Sequence, residues 1–237
     1  MARRRFFVPF VRDGEAEIAG DEARHLTQVL RVETGQQFEI SDNTAVYLAE
    51  IAAVGKNRVS FRTLERLLDP TPELEIHLYV ALFKFDRLEF LLEKATELGV
   101  SAVHFVRAER SERGLDLAAG KRIERWRRIV LEASQQSRRS HLPELFPPVR
   151  FKDAVRVEGQ NRFFLDEERT GRHLLDALRT PVEPVVLMAG PEGGWHERER
   201  AEAAAAGWTP VSLGDSILRA ETAAIAALAV VRAVLSR

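Results

Sequence analysis

The 237-residue sequence predicts an α/β protein in which a mostly parallel sheet is covered by helices on both faces, preceded by a small β-barrel domain. Beyond residue 70, apolar strand-like runs alternate with helical patterns, the rhythm of a parallel sheet. Before residue 70, short β-rich runs follow one another between turn signals. Between the two stretches stands Asp69-Pro70-Thr71-Pro72, whose prolines remove backbone donors and disfavour helix on both sides. Domains at 1–70 and 71–237 are therefore expected.

In the first domain, Arg4–Val8 and Ala16–Ile18 read as strands. Asp21–Leu30 reads as a helix with Leu26, Val29 and Leu30 on one face and Gly20-Asp21 as its start signal. Gln37–Ser41, Ala45–Ala53 and Arg58–Leu64 are further strands, separated by Asp42-Asn43 and Gly55-Lys56-Asn57 turns. In the second domain, Ile76–Phe83 is continuously apolar, as a strand buried on both faces must be. Asp86–Leu98 places Leu88, Leu91, Leu92, Ala95 and Leu98 at helical spacing and stops at Gly99. Ala102–Val106, Arg162–Leu165, Val185–Met188 and Thr209–Leu213 are strands; Lys121–Gln136, Leu174–Leu178, Glu197–Ala206 and Glu221–Leu235 are helices. The last helix is apolar nearly all round from Ala223 to Val231, where a surface helix would show a polar face. It is either a plain core helix or one buried against both its own sheet and a partner chain.

Composition narrows the function. With 45% hydrophobic and 30% charged residues the chain is not disordered, and its net charge of −1 sets up no global field for nucleic acid or membrane. The absence of cysteine excludes disulfides, thiol nucleophiles and thiolate zinc sites. The scattered histidines argue against any metal. The basic start, Arg3-Arg4-Arg5, lacks the apolar run of a signal peptide. No stretch reaches the ~20 apolar residues of a membrane span. A soluble, cytoplasmic protein is expected.

Two glycine-containing loops carry the chemistry. Gly190-Pro191-Glu192-Gly193-Gly194 follows a buried strand and precedes a helix; Leu213-Gly214-Asp215-Ser216-Ile217-Leu218-Arg219 does the same and runs on into Ala220-Glu221-Thr222-Ala223. In open α/β sheets ligands bind beyond the carboxyl ends of strands, and glycines let backbone N–H groups approach them closely. No phosphate-loop lysine, dinucleotide fingerprint or serine nucleophile turn is present. Each loop alone could be turn chemistry; the pair suggests a nucleoside-like ligand held by backbone groups.

These two motifs resemble the signature of the bacterial 16S rRNA uracil-N3 methyltransferases of the SPOUT superfamily. So do His25-Leu26…Val29-Leu30-Arg31…Gly35, Lys84…Asp86-Arg87…Lys94-Ala95-Thr96-Glu97-Leu98-Gly99-Val100 and Glu132-Ala133…Gln136-Ser137…Arg139…Pro143. The resemblance covers almost the whole chain. It implies a PUA-like N-terminal domain, a C-terminal trefoil-knot domain, S-adenosyl-L-methionine as methyl donor, 16S rRNA in the small ribosomal subunit as substrate, and a homodimer. The chain departs from the family pattern at His196, where a small hydroxyl residue usually caps the helix, so a weaker or different cap is expected. It departs again at Ser216, where a basic residue is usual.

From these motifs Leu165, Gly190, Pro191, Glu192, Gly193, Leu213, Gly214, Ile217 and Leu218 are expected to bind the cofactor. Arg219 is expected to stabilise the imide anion that develops as uracil N3 loses its proton, with a structural ion pair to Glu221 or Glu192 as the other reading. Glu221 is expected to position Arg219 or accept the proton; a carboxylate favoured by the helix dipole is equally compatible. RNA contact is expected on Arg3, Arg4, Arg5 and Arg31, and on Lys121, Arg125, Arg128 and Arg139 within a stretch of net charge +5. A solvated charged face would look the same. A methyltransferase acting on another RNA nucleotide and a non-catalytic RNA-binding assembly factor are the competing functions.

Overall fold

A computed structural model describes residues 4–67, 74–159, 161–168, 171–178 and 184–235. Arg3 and the expected linker Asp69-Pro70-Thr71-Pro72 lie outside the described residues. The chain divides into two compact units, Met1–Pro72 with Ser134–Leu142, and Glu73–Ala133 with Pro143–Arg237.

The first unit is a curled, half-barrel sheet of β1 (Arg5–Phe7), β2 (Glu15–Ala19), β3 (Gln37–Ser41), β4 (Val46–Val54) and β5 (Arg58–Arg66), in the order β1-β3-β4-β5-β2. Only β1 and β3 pair in parallel. Phe6, Ile18, Ile40, Ile51, Val59 and Phe61 fill its core, with Leu26 fully buried among them. The expected helix at 21–30 is instead α1 (Gly20–Arg24) followed by a single wide turn, His25–Val29, in which the Leu30 N–H donates to the His25 carbonyl. That extra residue per turn rotates Val29 out to 65% exposure, so the expected three-residue apolar stripe is broken.

The segment Ser134–Leu142 belongs to this unit through its polar groups. Arg138 and Arg5 both bond the Glu39 carboxylate. The Ser41 hydroxyl donates to the Ser140 carbonyl at 2.5 Å, and the Leu142 N–H to Asn43 Oδ1 at 2.8 Å. Burial alone would raise the Glu39 carboxyl, but the two guanidinium groups outweigh it and hold it below the usual range.

The second unit is a fully parallel seven-stranded sheet. Its chain order is β6 (Ile76–Ala81), α2 (Phe85–Glu97), β7 (Ala102–Arg107), α3 (Leu115–Gly120), α4 (Ile123–Gln136), β8 (Glu144–Arg150), α5 (Phe151–Ala154) and β9 (Asn161–Leu165), then β10 (Arg172–His173), α6 (Leu174–Ala177), β11 (Val185–Ala189), α7 (Glu197–Ala205), β12 (Thr209–Ser212) and α8 (Ala220–Leu235). The strand order is β10-β12-β9-β11-β6-β7-β8. Central β11 is buried at every position, with Val185, Leu187 and Ala189 in one core and Val186 and Met188 in the other. Residues of α2, α4, α6 and α8 pack in the first core and those of α5 and α7 in the second, which explains the lack of polar alternation along the strand. Helix α2 ends where Gly99 takes φ +85°, with the Val100 N–H bonded to the Ala95 carbonyl.

Strand β8 carries Pro147-Pro148 and is not among the strands expected from the sequence; it lies at the sheet's edge, where prolines are tolerated. The outer side of α8 is uncovered in the monomer: Ala224, Ala227, Leu228 and Val231 are buried, while Thr222, Ala229 and Ala233 are exposed. Among the described residues, no helix is long and apolar enough to cross a membrane, and no group of three potential metal ligands occurs.

Candidate active site

Beyond the carboxyl ends of β9, β11 and β12 lies a cavity of about 360 Å³. Its walls are the two glycine loops, closed by the end of β9 and by Arg87 from the first turn of α2. Of the residues expected to bind the cofactor, Leu165, Gly190, Pro191, Glu192, Leu213, Gly214, Ile217 and Leu218 line the cavity, as does Arg219. Gly193 does not line it: its carbonyl accepts a 3.0 Å bond from Arg110 Nη1 and its α-carbon faces the Arg110 side chain.

The first loop is held by contacts of its own. Its Gly194, at φ +70°, donates its N–H to the Pro191 carbonyl at 3.0 Å. Trp195, fully buried, donates its indole N–H to the Leu165 carbonyl at 2.9 Å and its backbone N–H to Glu167. A β-carbon on Gly190 would stand 2.9 Å from the Trp195 indole nitrogen, and one on Gly194 would collide with the Glu167 carboxylate. Packing against the buried indole requires glycine at 190, and the positive φ favours it at 194. Arg200 of α7 bonds Asp166, Glu167 and the Trp195 carbonyl and pairs with Glu168. Its burial opposes the charged form, yet the three acids raise its pKa further. The sequence does not reveal this cluster, although Asp166 and Glu167 also line the cavity.

His196 caps α7 with its imidazole, so of the weaker or different cap expected the structure shows a different one. Its Nδ1 accepts the Arg198 N–H at 3.1 Å, and buried Glu199 accepts both the His196 N–H (3.0 Å) and the Glu109 N–H (2.8 Å). An imidazole nitrogen takes the acceptor role of the usual hydroxyl.

The second loop is the opposite. Between β12 and α8, no hydrogen bond to a described residue engages the backbone N–H groups of Leu213 to Leu218, and Ile217 is 79% exposed. The Arg219 side chain is exposed and has no polar partner among the described residues. Glu192 and Glu221 instead face Arg87: its Nη1 lies 2.5 Å from Glu192 and its Nε 4.0 Å from Glu221. Glu221 is buried just outside the cavity wall, in the first turn of α8, and its Oε2 has no hydrogen-bond partner.

The residues expected to meet RNA divide three ways. Arg4, Arg31, Lys121 and Arg128 are exposed and have no ion-pair partner among the described residues. Arg125 is exposed but forked onto Glu89 of α2, and Arg5 is spent on Glu39 and the Arg138 carbonyl. Arg139 is buried at 6% exposure, so the expectation that it reaches a phosphate is corrected: it belongs to the segment packed into the first unit.

Residues 70–232 match the model of an RNA methyltransferase domain, and residues 18–64 that of an RNA methyltransferase PUA domain. The ribosomal RNA small subunit methyltransferase E of Synechocystis sp. is 35% identical over 89% of this chain and 70% of its own length. The chain belongs to the ribosomal RNA small subunit methyltransferase E family. The Bacillus subtilis member is 31% identical over 90% of this chain and 88% of its own length. A crystal structure of the Neisseria gonorrhoeae member bound to S-adenosyl methionine superposes with a TM-score of 0.86 at 32% identity, covering 96% of this chain and 95% of that one. Membership accounts for the order of the motifs along the chain. It leaves the roles of Arg87, Asp166, Glu167 and Arg110 to be argued from their contacts; of these, only Arg87 lies in a block the sequence had singled out.

Proposed function

We propose that this protein transfers a methyl group from S-adenosyl-L-methionine to N3 of a uridine in the 16S ribosomal RNA of the small subunit, as a cytoplasmic enzyme. The observation that carries the reading is the cavity between one internally bonded loop and one loop whose backbone donors meet no described residue, at the carboxyl edge of a parallel sheet. The free N–H groups of Leu213 to Leu218 suit the edge of an adenine, and the glycines at 190 and 194 keep the opposite wall close. The cofactor supplies an activated methyl group. The protein's task is then to place the acceptor nitrogen in line and to favour its deprotonated form.

Arg219 is suited to that task, since it stands at the cavity with its donors free while Arg87 occupies the neighbouring carboxylates. Uracil N3 carries a proton at neutral pH, and a guanidinium beside O2 or O4 favours the imide anion. Glu221 sits beside the reacting region as a buried carboxylate favoured by the α8 dipole. The exposed cations Arg4, Arg31, Lys121 and Arg128 are the phosphate contacts we assign. The uncovered side of α8 supports a homodimer.

The test is nucleoside mass spectrometry on undermodified small subunits incubated with protein and S-adenosyl-L-methionine. The reading expects 3-methyluridine. A methyl mark on another base would favour a different target nucleotide, and cofactor binding without any mark a non-catalytic factor.

A further inference from the structure

Among the described residues, Arg87 is the one lining residue from outside the strand ends, their loops and α8. It enters from the first turn of α2, and its guanidinium faces two carboxylates that belong to different walls. Glu192 sits in the first glycine loop; Glu221 begins the helix into which the second loop runs. The separations differ: Nη1 is in hydrogen-bond contact with Glu192, whereas Nε stands 4.0 Å from Glu221, an ionic but not a bonded distance. Glu221 has only one-tenth of its side chain exposed, and its Oε2 contacts no donor. A buried carboxylate in that state needs a nearby cation, and within the described residues Arg87 is the one in ion-pair range.

Among the described residues the two loops have no other tie to one another: Arg110 and Glu199 fasten the first loop and the helix after it to residues 109–110, and no described residue engages the backbone donors of the second from Leu213 to Leu218. Without Arg87, Glu192 would lose its hydrogen-bonded partner and the buried Glu221 the one cation in ion-pair range among the described residues, so the link between the two walls would be lost.

We propose that Arg87 is a positioning residue that couples the two walls of the cavity, holding them at the separation the cofactor requires. This rests on the methyltransferase reading. Arg87 acts through Glu192 and Glu221 and sets cofactor affinity without entering the methyl-transfer step. A guanidinium suits the role because it presents donors along two edges at once, which an ammonium cannot.

The experiment is calorimetric titration of the full chain with S-adenosyl-L-methionine, paired with steady-state methylation of small subunits. Arg87→Met is expected to weaken cofactor binding about tenfold and raise the cofactor KM by the same factor, while kcat at saturation stays within about twofold. Arg87→Lys, which keeps the contact to Glu192, should recover roughly half of the loss on a logarithmic scale. Because both partners act through one contact, Glu192→Gln should cost a similar factor, and Arg87→Met with Glu192→Gln no more than either alone. A fall in kcat at unchanged cofactor affinity would mean that Arg87 touches the RNA, and additive losses in the double variant would mean that the two residues act separately; either overturns the proposal. Melting temperatures of the variants separate a loosened cavity from a lost fold, and Glu192→Gln gives an independent reading should Arg87→Met unfold. If the wild-type chain itself binds no S-adenosyl-L-methionine, it is the underlying reading that fails.

Discussion

The two glycine loops at the cavity look alike in sequence and differ in what holds them. The loop at 190–194 is closed by its own turn, buttressed by a buried tryptophan and fastened by Arg110, with its flanking helix capped by His196 and Glu199. In the loop at 213–219 no described residue engages the backbone donors of Leu213 to Leu218, and an isoleucine is exposed. One wall is therefore fixed by the fold, and the other keeps hydrogen-bonding groups open to the cofactor we propose there. A site built so keeps half of its geometry rigid and leaves hydrogen-bonding capacity for the ligand in the other half.

Substitutions can break that contrast, starting with the rigid wall. Gly190→Val pushes a side chain into the buried Trp195 indole and should abolish measurable S-adenosyl-L-methionine binding by calorimetry, a loss of at least about 100-fold. Gly193→Ala meets only Arg110 at ordinary contact distance and should bind within about threefold of wild type. Equal losses at the two glycines would refute the view that packing against Trp195 is what demands glycine. On the open wall, Arg219→Ala should lower kcat by roughly 10²-fold while cofactor affinity holds, as removal of one anion-stabilising donor does. Near-normal turnover would end that assignment.

Smaller effects sharpen the contrast through stability. Trp195→Phe removes the indole bond to the Leu165 carbonyl and should cost about 1–2 kcal/mol in chemical denaturation. Ser216→Ala, in the open loop, should change stability by less than about 0.5 kcal/mol. Away from the site, His104 is stacked between Tyr79 and Phe146 across β6, β7 and β8. Burial, with a smaller contribution from His77, pushes its pKa down from 6.5 to about 4. The unfolded chain then takes up a proton that the folded chain refuses, so this ring's contribution is full above pH 6.5 and lost as pH falls towards 4. Allowing for the ring's partial access to water, the loss is on the order of 1 kcal/mol. His104→Phe should flatten that part of the denaturation-versus-pH curve; an unchanged slope would assign the acid sensitivity elsewhere.

The elements that the sequence read correctly are those whose burial is one-sided or complete. The alternation of strand and helix from Ile76 onward, the α2 stripe ended by Gly99 and both glycine loops follow from side-chain periodicity and backbone freedom, which are local properties. The elements it missed or misread depend on neighbours. Strand β8 holds two prolines and exists because it occupies an edge; the turn at His25–Val29 widens and leaves Val29 in solvent. Arg139 has the composition of a phosphate contact and the position of a core residue.

By itself, then, the sequence determined the two-part architecture, the order of the motifs and the two glycine loops that line the cavity. Only the tertiary structure decided which charges are available. Arginine looks the same in a string whether its partner is water or a carboxylate 34 or 105 positions away, as for Arg5 with Glu39 and Arg87 with Glu192. Folding spends Arg5, Arg87, Arg125 and Arg200 on acids and leaves Arg219 free at the cavity, because ion pairing depends on distance in space and not on distance along the chain.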